Sequence, residues 1–305
     1  MTISHSHNIS NCLKTNQFLL ITSTLILLTL HSCSFPNETP KFNPTRAYSD
    51  VEFQVSLGPR NLNGFAHQQT REYIQTVLTN ANWETSVQSL VLKNRLATYN
   101  IIAKRGGGKP WVIVGAHYDS RFYADMDPDP AKRNKPVPGA NDGASGVAVL
   151  LELGRVLPPE LKNQVWLVFF DAEDNGQIPG FDWILGSQAF VAELQTYPDS
   201  VLIVDMVGDK ELELFYEANS DPDLSVELWN IAAELGKSQF TPSQKHRLLD
   251  DHIPFREIGI SAVDIIDFDY PYWHTTEDTL DKISPESLGA VGETILSWLL
   301  LKGKP

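Results

Sequence analysis

Cysteine is nearly missing from this sequence. The 305-residue chain holds two, Cys12 and Cys33, both in or beside its first 33 residues. The remainder therefore has no disulfide framework, no thiol nucleophile and no cysteine zinc site. Basic charge is also scarce: 24 Lys and Arg stand against 38 Asp and Glu, a net charge of -14. Such a surface repels a phosphate backbone, which excludes nucleic acid and makes a cationic or zwitterionic ligand the easier partner. There is no internal repeat, and His and acids never fall at a local zinc-motif spacing. With 42% hydrophobic and 20% charged residues, the composition is that of one globular, enzyme-sized domain.

The apolar run FLLITSTLILLTL, Phe18–Leu30, is thirteen residues long, short for a bilayer span. Lys14 precedes it, and no acid occurs before Glu38. This is the pattern of an export signal, either cleaved or kept as a single anchor helix. It ends in LHSC, which resembles a bacterial lipoprotein box with Cys33 as the lipidated residue, although His31 is unusual there. The expected division is a signal segment at 1–33, a flexible tether at 34–50 and a single catalytic domain at 51–305. Membrane contact is then confined to the N-terminal segment or a lipid on Cys33. The protein would be exported, to the periplasm or cell envelope.

Beyond the tether, apolar spacing predicts a helix at Phe65–Thr79 and two strands within Leu90–Ala103. WVIVGAH (111–117), QVWLVFF (164–170), VLIVDMVG (201–208), LELFYEA and GISAVDII (259–266) read as further strands. Helices are expected from about Asp142, in FDWILGSQAFVAEL, at Leu224–Leu235 and at Pro285–Leu301. This alternation predicts an α/β fold: a three-layer helix/sheet/helix sandwich on a mixed, mostly parallel central sheet.

Acids and histidines gather at the ends of these strands. WVIVGAH ends at His117, QVWLVFF runs into Asp171, Glu173 and Asp174, and VLIVD ends at Asp205; Asp142 opens a helix, and His274 follows the 259–266 strand. Open α/β sheets bind ligands at the carboxyl ends of their strands. Each residue also has a plain structural reading. Asp142 can be a helix N-cap, Asp171 can bond nearby amides, and seven tryptophans can largely be core. Together, His and carboxylates without cysteine suggest zinc.

Five blocks carry a family resemblance: HYDSR (117–121), PGANDGASGVAVLLELGR (138–155), FFDAED (169–174), VDMVG (204–208) and WHTTEDTLDKI (273–283). In this order they resemble the zinc-dependent aminopeptidase-like superfamily, over roughly residues 60–303. DDHIPF (250–255) followed by FDYPYWHT (268–275) is similar to the animal-type glutaminyl-peptide cyclotransferases. The resemblance implies a zinc aminopeptidase-like fold and one Zn2+ per chain, held by Asp142, Asp174 and His274. It makes Glu173 the general acid/base and Asp205 the carboxylate beside it, paired with Asp250. Trp273 matches the pocket wall, Tyr270 stands where a pocket Phe is expected, and Trp183 is the candidate second tryptophan. Thr275 and Asp278 would anchor the loop behind His274. The substrates implied are peptides or proteins with N-terminal glutamine, converted to pyroglutamate with loss of ammonia. Asp174 departs from the pattern, standing where these cyclases usually carry glutamate. Two other functions share the fold: an exported di-zinc aminopeptidase using His117 and Asp205 for a second metal, and a non-catalytic binding domain.

Overall fold

The computed structural model describes residues 39–303, apart from 93 and 94. The expected signal segment at 1–33 lies outside the described residues, as does 34–38. From Pro40 onward the chain folds as a single unit. In order it forms α1 (Pro44–Ser56), α2 (Phe65–Asn80), β1 (Glu84–Val91), β2 (Ala97–Arg105), β3 (Trp111–His117), α3 (Ala144–Val156), β4 (Gln164–Phe170) and α4 (Leu185–Ala192). There follow β5 (Ser200–Asp205), β6 (Leu214–Tyr216), α5 (Pro222–Glu234), β7 (Phe240–Gln244), α6 (Ile253–Glu257), β8 (Ala262–Ile266) and α7 (Pro285–Lys302).

Six strands make the main sheet in the order β1-β2-β4-β3-β5-β8. β1, β2 and β4 pair antiparallel, whereas β4–β3, β3–β5 and β5–β8 pair parallel. The sheet is therefore mixed and mostly parallel, as the element alternation predicted. Every residue of β3 and β8 is buried, which explains why these strands read as apolar runs. Alternate residues then serve two cores. Val112, Val114, Leu167, Phe169, Leu202 and Val204 pack toward the helices that include α3 and α7. Ile113, Val168, Phe170, Val201 and Ile203 face Phe190 of α4 and Phe255 of α6. Each such aliphatic side chain contributes about 1.5–3 kcal/mol on burial.

Part of the expected tether is a packed helix. Pro44 sits at the first turn of α1, where proline's missing N–H costs nothing, and Asn43 caps it by accepting from Arg46 N. Ala47, Asp50, Val51 and Gln54 are buried. Prolines and polar side chains made this stretch resemble a linker. Pro44 starts the helix, and the polar groups of Asp50 and Gln54 are paired across it.

Candidate active site and metal centre

The ends of β3, β4 and β5 meet the loops before α3 and after β8 around one pocket of about 330 Å³. Its lining includes Asp142, Glu173, Asp174, Asp205, Asp250 and His274, with Trp183 and Trp273 as indole walls. Residues more than a hundred positions apart in sequence thus share one cavity.

The ligand loops are held from behind. Arg60 is fully buried and donates to the carbonyls of Pro138 at 2.7 Å, Gly139 at 2.5 Å and Asp142 at 3.3 Å. The Asp278 carboxylate accepts the backbone N–H groups of Asn141 at 2.8 Å and Asp142 at 3.2 Å. Asp142 is not a helix cap: Gly143 holds that place, with no side-chain cap bond. A Cβ on Gly143 would lie 2.4 Å from His117 Nε2, so only glycine allows the imidazole this close. At the end of β4, Asp119 accepts from Glu173 N at 3.1 Å and Asp174 N at 3.3 Å. Asp171 is a structural anchor, bonded to His67 Nε2 at 2.7 Å and Tyr99 N at 2.7 Å. Ala172, Met206 and His274 hold positive φ of 56°, 46° and 54°. Such backbone costs on the order of 1–3 kcal/mol per residue and clusters here around the site.

Two groups of potential metal ligands result: Asp142, Asp174 and His274, and His117, Asp142 and Asp205, each with ligand atoms within 4.8 Å of one another. His274 Nε2 lies 2.7 Å from Asp174 Oδ1 and 3.6 Å from Asp142 Oδ2. Asp142 Oδ2 and Asp174 Oδ2 are buried with no hydrogen-bond partner. Two orphaned carboxylate oxygens beside an imidazole are a donor set that suits zinc. The shorter Asp174 side chain reaches this cluster without help. In the second group, His117 Nε2 is 3.1 Å from both Asp142 Oδ1 and Asp205 Oδ1.

Burial and like charge set the protonation of the site. Burial lifts the Glu173 carboxyl well above its usual range; His117 opposes this, and Asp174, Asp250 and Asp251 add to it. Burial and the Asp142 charge raise Asp174 to about 6. Burial, with the charges of Asp250 and Asp142, raises Asp205 to about 7 against the pull of His117. Burial lowers His117, but the charge of Asp205 and hydrogen bonds with Asp119, Asp142 and Asp205 carry it well above the imidazole value.

Trp183 and Trp273 flank His274, with ring centroids at 6.0 Å and 3.7 Å. Trp183 lies close against Gly176, where a Cβ would fall 2.1 Å from the indole. Tyr270 does not line the pocket. It is 3% exposed, and its hydroxyl donates to Asp278 Oδ1 at 2.8 Å, so it braces the Asp142 loop. Phe268, two residues earlier, forms that wall. Phe268, Met206, Ile266 and the rim residues Arg247, Leu248 and Leu249 had no sequence signal of their own. Nor did Asp264, the polar residue of an otherwise apolar β8, which burial and the Asp250 and Asp205 charges push well above the carboxylate range.

Residues 100–299 match the model of peptidase family M28. A solved glutaminyl cyclase from Tannerella forsythia is 35% identical, with a TM-score of 0.79, covering 85% of this chain and 99% of that one. A leucine aminopeptidase precursor from Bacteroides thetaiotaomicron is 30% identical, with a TM-score of 0.81, covering 88% and 99%. Among curated relatives, aminopeptidase YwaD of Bacillus subtilis is 29% identical over 213 residues, 60% of this chain and 39% of its own length. The glutaminyl-peptide cyclotransferase of Drosophila melanogaster is 24% identical over 265 residues, 74% of this chain and 72% of its own. The animal-type assignment is therefore corrected: bacterial cyclase structures match at higher identity and along almost their whole length. The chain belongs to peptidase family M28, and its likeness within that family is to bacterial-type rather than animal-type glutaminyl cyclases.

Proposed function

We propose that this protein is a zinc-dependent glutaminyl-peptide cyclotransferase, converting N-terminal glutamine of peptides to pyroglutamate with release of ammonia. The observation that carries the reading is the pocket itself. One small cavity joins the Asp142, Asp174 and His274 donors, a buried carboxyl at Glu173 and two indole walls at Trp183 and Trp273. Its size suits a single amino-acid side chain with its amine, at the small end of ligand pockets.

Asp142, Asp174 and His274 would hold one zinc, which would supply Lewis acidity toward an amide oxygen. Glu173 takes a proton from the α-amine nitrogen as that nitrogen bonds to the side-chain amide carbon, Cδ. It returns the proton to the side-chain nitrogen, which leaves as ammonia when its bond to carbon breaks. A carboxyl raised well above its usual range by burial suits a group that must both take and return a proton. Asp205 and Asp250 hold the amine, and the indoles enclose the glutamine methylenes and exclude water. His117 already donates between Asp142 and Asp205, which leaves those oxygens less free for a second metal.

The test is direct. The purified protein is incubated with glutamine-, asparagine- and leucine-initiated peptides, with zinc quantified in the same sample. The reading requires loss of one ammonia from the glutamine peptide alone. Asparagine cannot react, because its shorter side chain would close a strained four-membered ring. A specific observation favours a second reading: His117, Asp142 and Asp205 also form a potential ligand group. Two zinc ions per chain with release of free N-terminal amino acids would establish an aminopeptidase instead.

Export to the periplasm or cell envelope, with a lipid on Cys33, completes the proposal. The N-terminal sequence pattern supports it, and among the described residues no helix is long and apolar enough to cross a membrane. If Cys33→Ala leaves the protein in the membrane fraction, the lipid anchor is wrong.

A further inference from the structure

The pocket floor is acidic, yet its rim carries a guanidinium. Arg247 lines the same cavity as Glu173, Asp205 and Asp250. It follows β7 and precedes the exposed Leu249. Its placement is built from inside. The buried Glu217 carboxylate accepts the backbone N–H groups of Asn219 at 2.8 Å, Ser220 at 2.7 Å and Leu248 at 2.8 Å. Asn219 in turn donates from Nδ2 to the Leu248 carbonyl at 2.7 Å, and its Oδ1 accepts from Arg247 Nη1. The neighbouring cations are already matched: Lys245 and His246 face Asp269 at 2.6 Å and 3.2 Å. Among the described residues, no carboxylate forms an ion pair with Arg247. A chain with net charge -14 thus presents one oriented, unpaired guanidinium at the mouth of its acidic pocket.

We infer that Arg247 is a specificity residue that reads the residue after the N-terminal glutamine, favouring an acidic side chain at the second position. This rests on the cyclotransferase reading. In that reading, the glutamine and its amine occupy the acidic floor. The cavity has room for little more, so the peptide leaves across the rim. Each extended residue advances about 3.3–3.6 Å, which brings the second side chain to the level of Arg247. A guanidinium binds a carboxylate as a planar fork, through the hydrogens not committed to Asn219. The same charge repels lysine there. The interaction is solvent-exposed, so it is modest and falls with salt.

The experiment compares kcat/KM for Gln-Glu-Ala, Gln-Ala-Ala and Gln-Lys-Ala amides at low and high salt. It uses the full protein, Arg247→Ala and Arg247→Glu, with each enzyme's rate on Gln-Ala-Ala as its internal reference. The expected order for the unaltered protein is Glu above Ala above Lys. Exposed ion pairs are worth about two- to fivefold, so that is the spread expected between Glu and Ala, shrinking at high salt. Arg247→Ala levels the order and Arg247→Glu reverses it. A flat order in the unaltered protein, or a preference that survives Arg247→Glu, overturns the inference while leaving the cyclase reading intact. If none of the three peptides loses ammonia while zinc is bound, the cyclase reading itself fails, and this inference with it.

Discussion

Two groups of buried acids in this molecule are treated differently. Between α1 and α3, Asp50 and Glu152 are 2% and 0% exposed. Arg155 grips Asp50 at 2.5 and 2.7 Å, and Arg46 grips Glu152 at 2.6 and 2.7 Å. Tyr73 and the amide of Asn43 take up further lone pairs. At the pocket, Asp142, Glu173, Asp174 and Asp205 are similarly buried, but among the described residues no arginine hydrogen-bonds their carboxylates; Arg60 and Arg121 reach only the backbone carbonyls of Asp142 and Asp174. Arg121 comes no nearer than 4.0 Å to Asp174 Oδ1, and Arg60 spends its hydrogens on carbonyls. A buried acid with its own cation is finished structure. The pocket acids, with orphaned oxygens on Asp142 and Asp174 beside an imidazole, are instead a donor set suited to a cation from outside.

The sharpest way to break this contrast is to remove a pocket acid. Asp174→Ala should release the metal and abolish turnover, with zinc measured by metal analysis after dialysis. Asp174→Glu, which changes only reach, should keep both. Full zinc retention by the alanine variant would show that Asp174 is not a ligand. Next in size, Glu173→Gln should keep zinc and fold while turnover drops by about 10²–10⁴-fold, the usual contribution of a general acid/base. A drop below about tenfold would transfer that role to another group, with Asp205 the nearest candidate.

On the other side of the contrast, Arg155→Ala strands Asp50 and should lower stability by about 3 kcal/mol in urea unfolding, with zinc content unchanged. A loss under about 1 kcal/mol would make this network no better than surface pairs. The smallest effect concerns Glu217, a buried acid outside both groups. Burial raises it, but His252 and the N–H groups of Leu248 and Asn219 outweigh this and hold it at about 2, below its ordinary 4.5. A lowered folded value means that its stabilisation is complete above about pH 4.5 and is lost as pH falls toward 2. Glu217→Gln should therefore lose about 1–2 kcal/mol near neutrality and show a flatter acid limb. Parallel limbs for the two proteins would rule out this role.

The strands were legible because their signal is local. The runs WVIVGAH and QVWLVFF coincide with β3 and β4, since strands buried on both faces cannot interrupt their apolar residues. α1 was not legible, because its buried face includes Asp50 and Gln54, which look solvated until Arg155 and the α3 backbone are placed beside them. The family blocks pointed to Asp142, Glu173, Asp174, Asp205 and His274, and the fold brings these residues to one cavity. Trp183 was harder to place by sequence, and the structure sets it in the pocket lining together with Trp273.

By itself the sequence determined most of the strand and helix order, short of α1, β7 and α6, the acidic surface, the lack of any thiol chemistry beyond the N-terminal segment, and which strand ends carry chemical groups. These follow from composition and from periodicities spanning a few residues. Only the tertiary structure decided that Tyr270 turns inward to Asp278 while Phe268 faces the pocket, that Arg60 and Asp119 brace the ligand loops, and that Arg247 stands unpaired at the mouth. Those outcomes depend on contacts between residues such as Arg60 and Gly139, or Asp119 and Glu173, 79 and 54 positions apart. Neither partner's local propensity encodes such a contact; it exists only once the sheet has set the strand ends side by side.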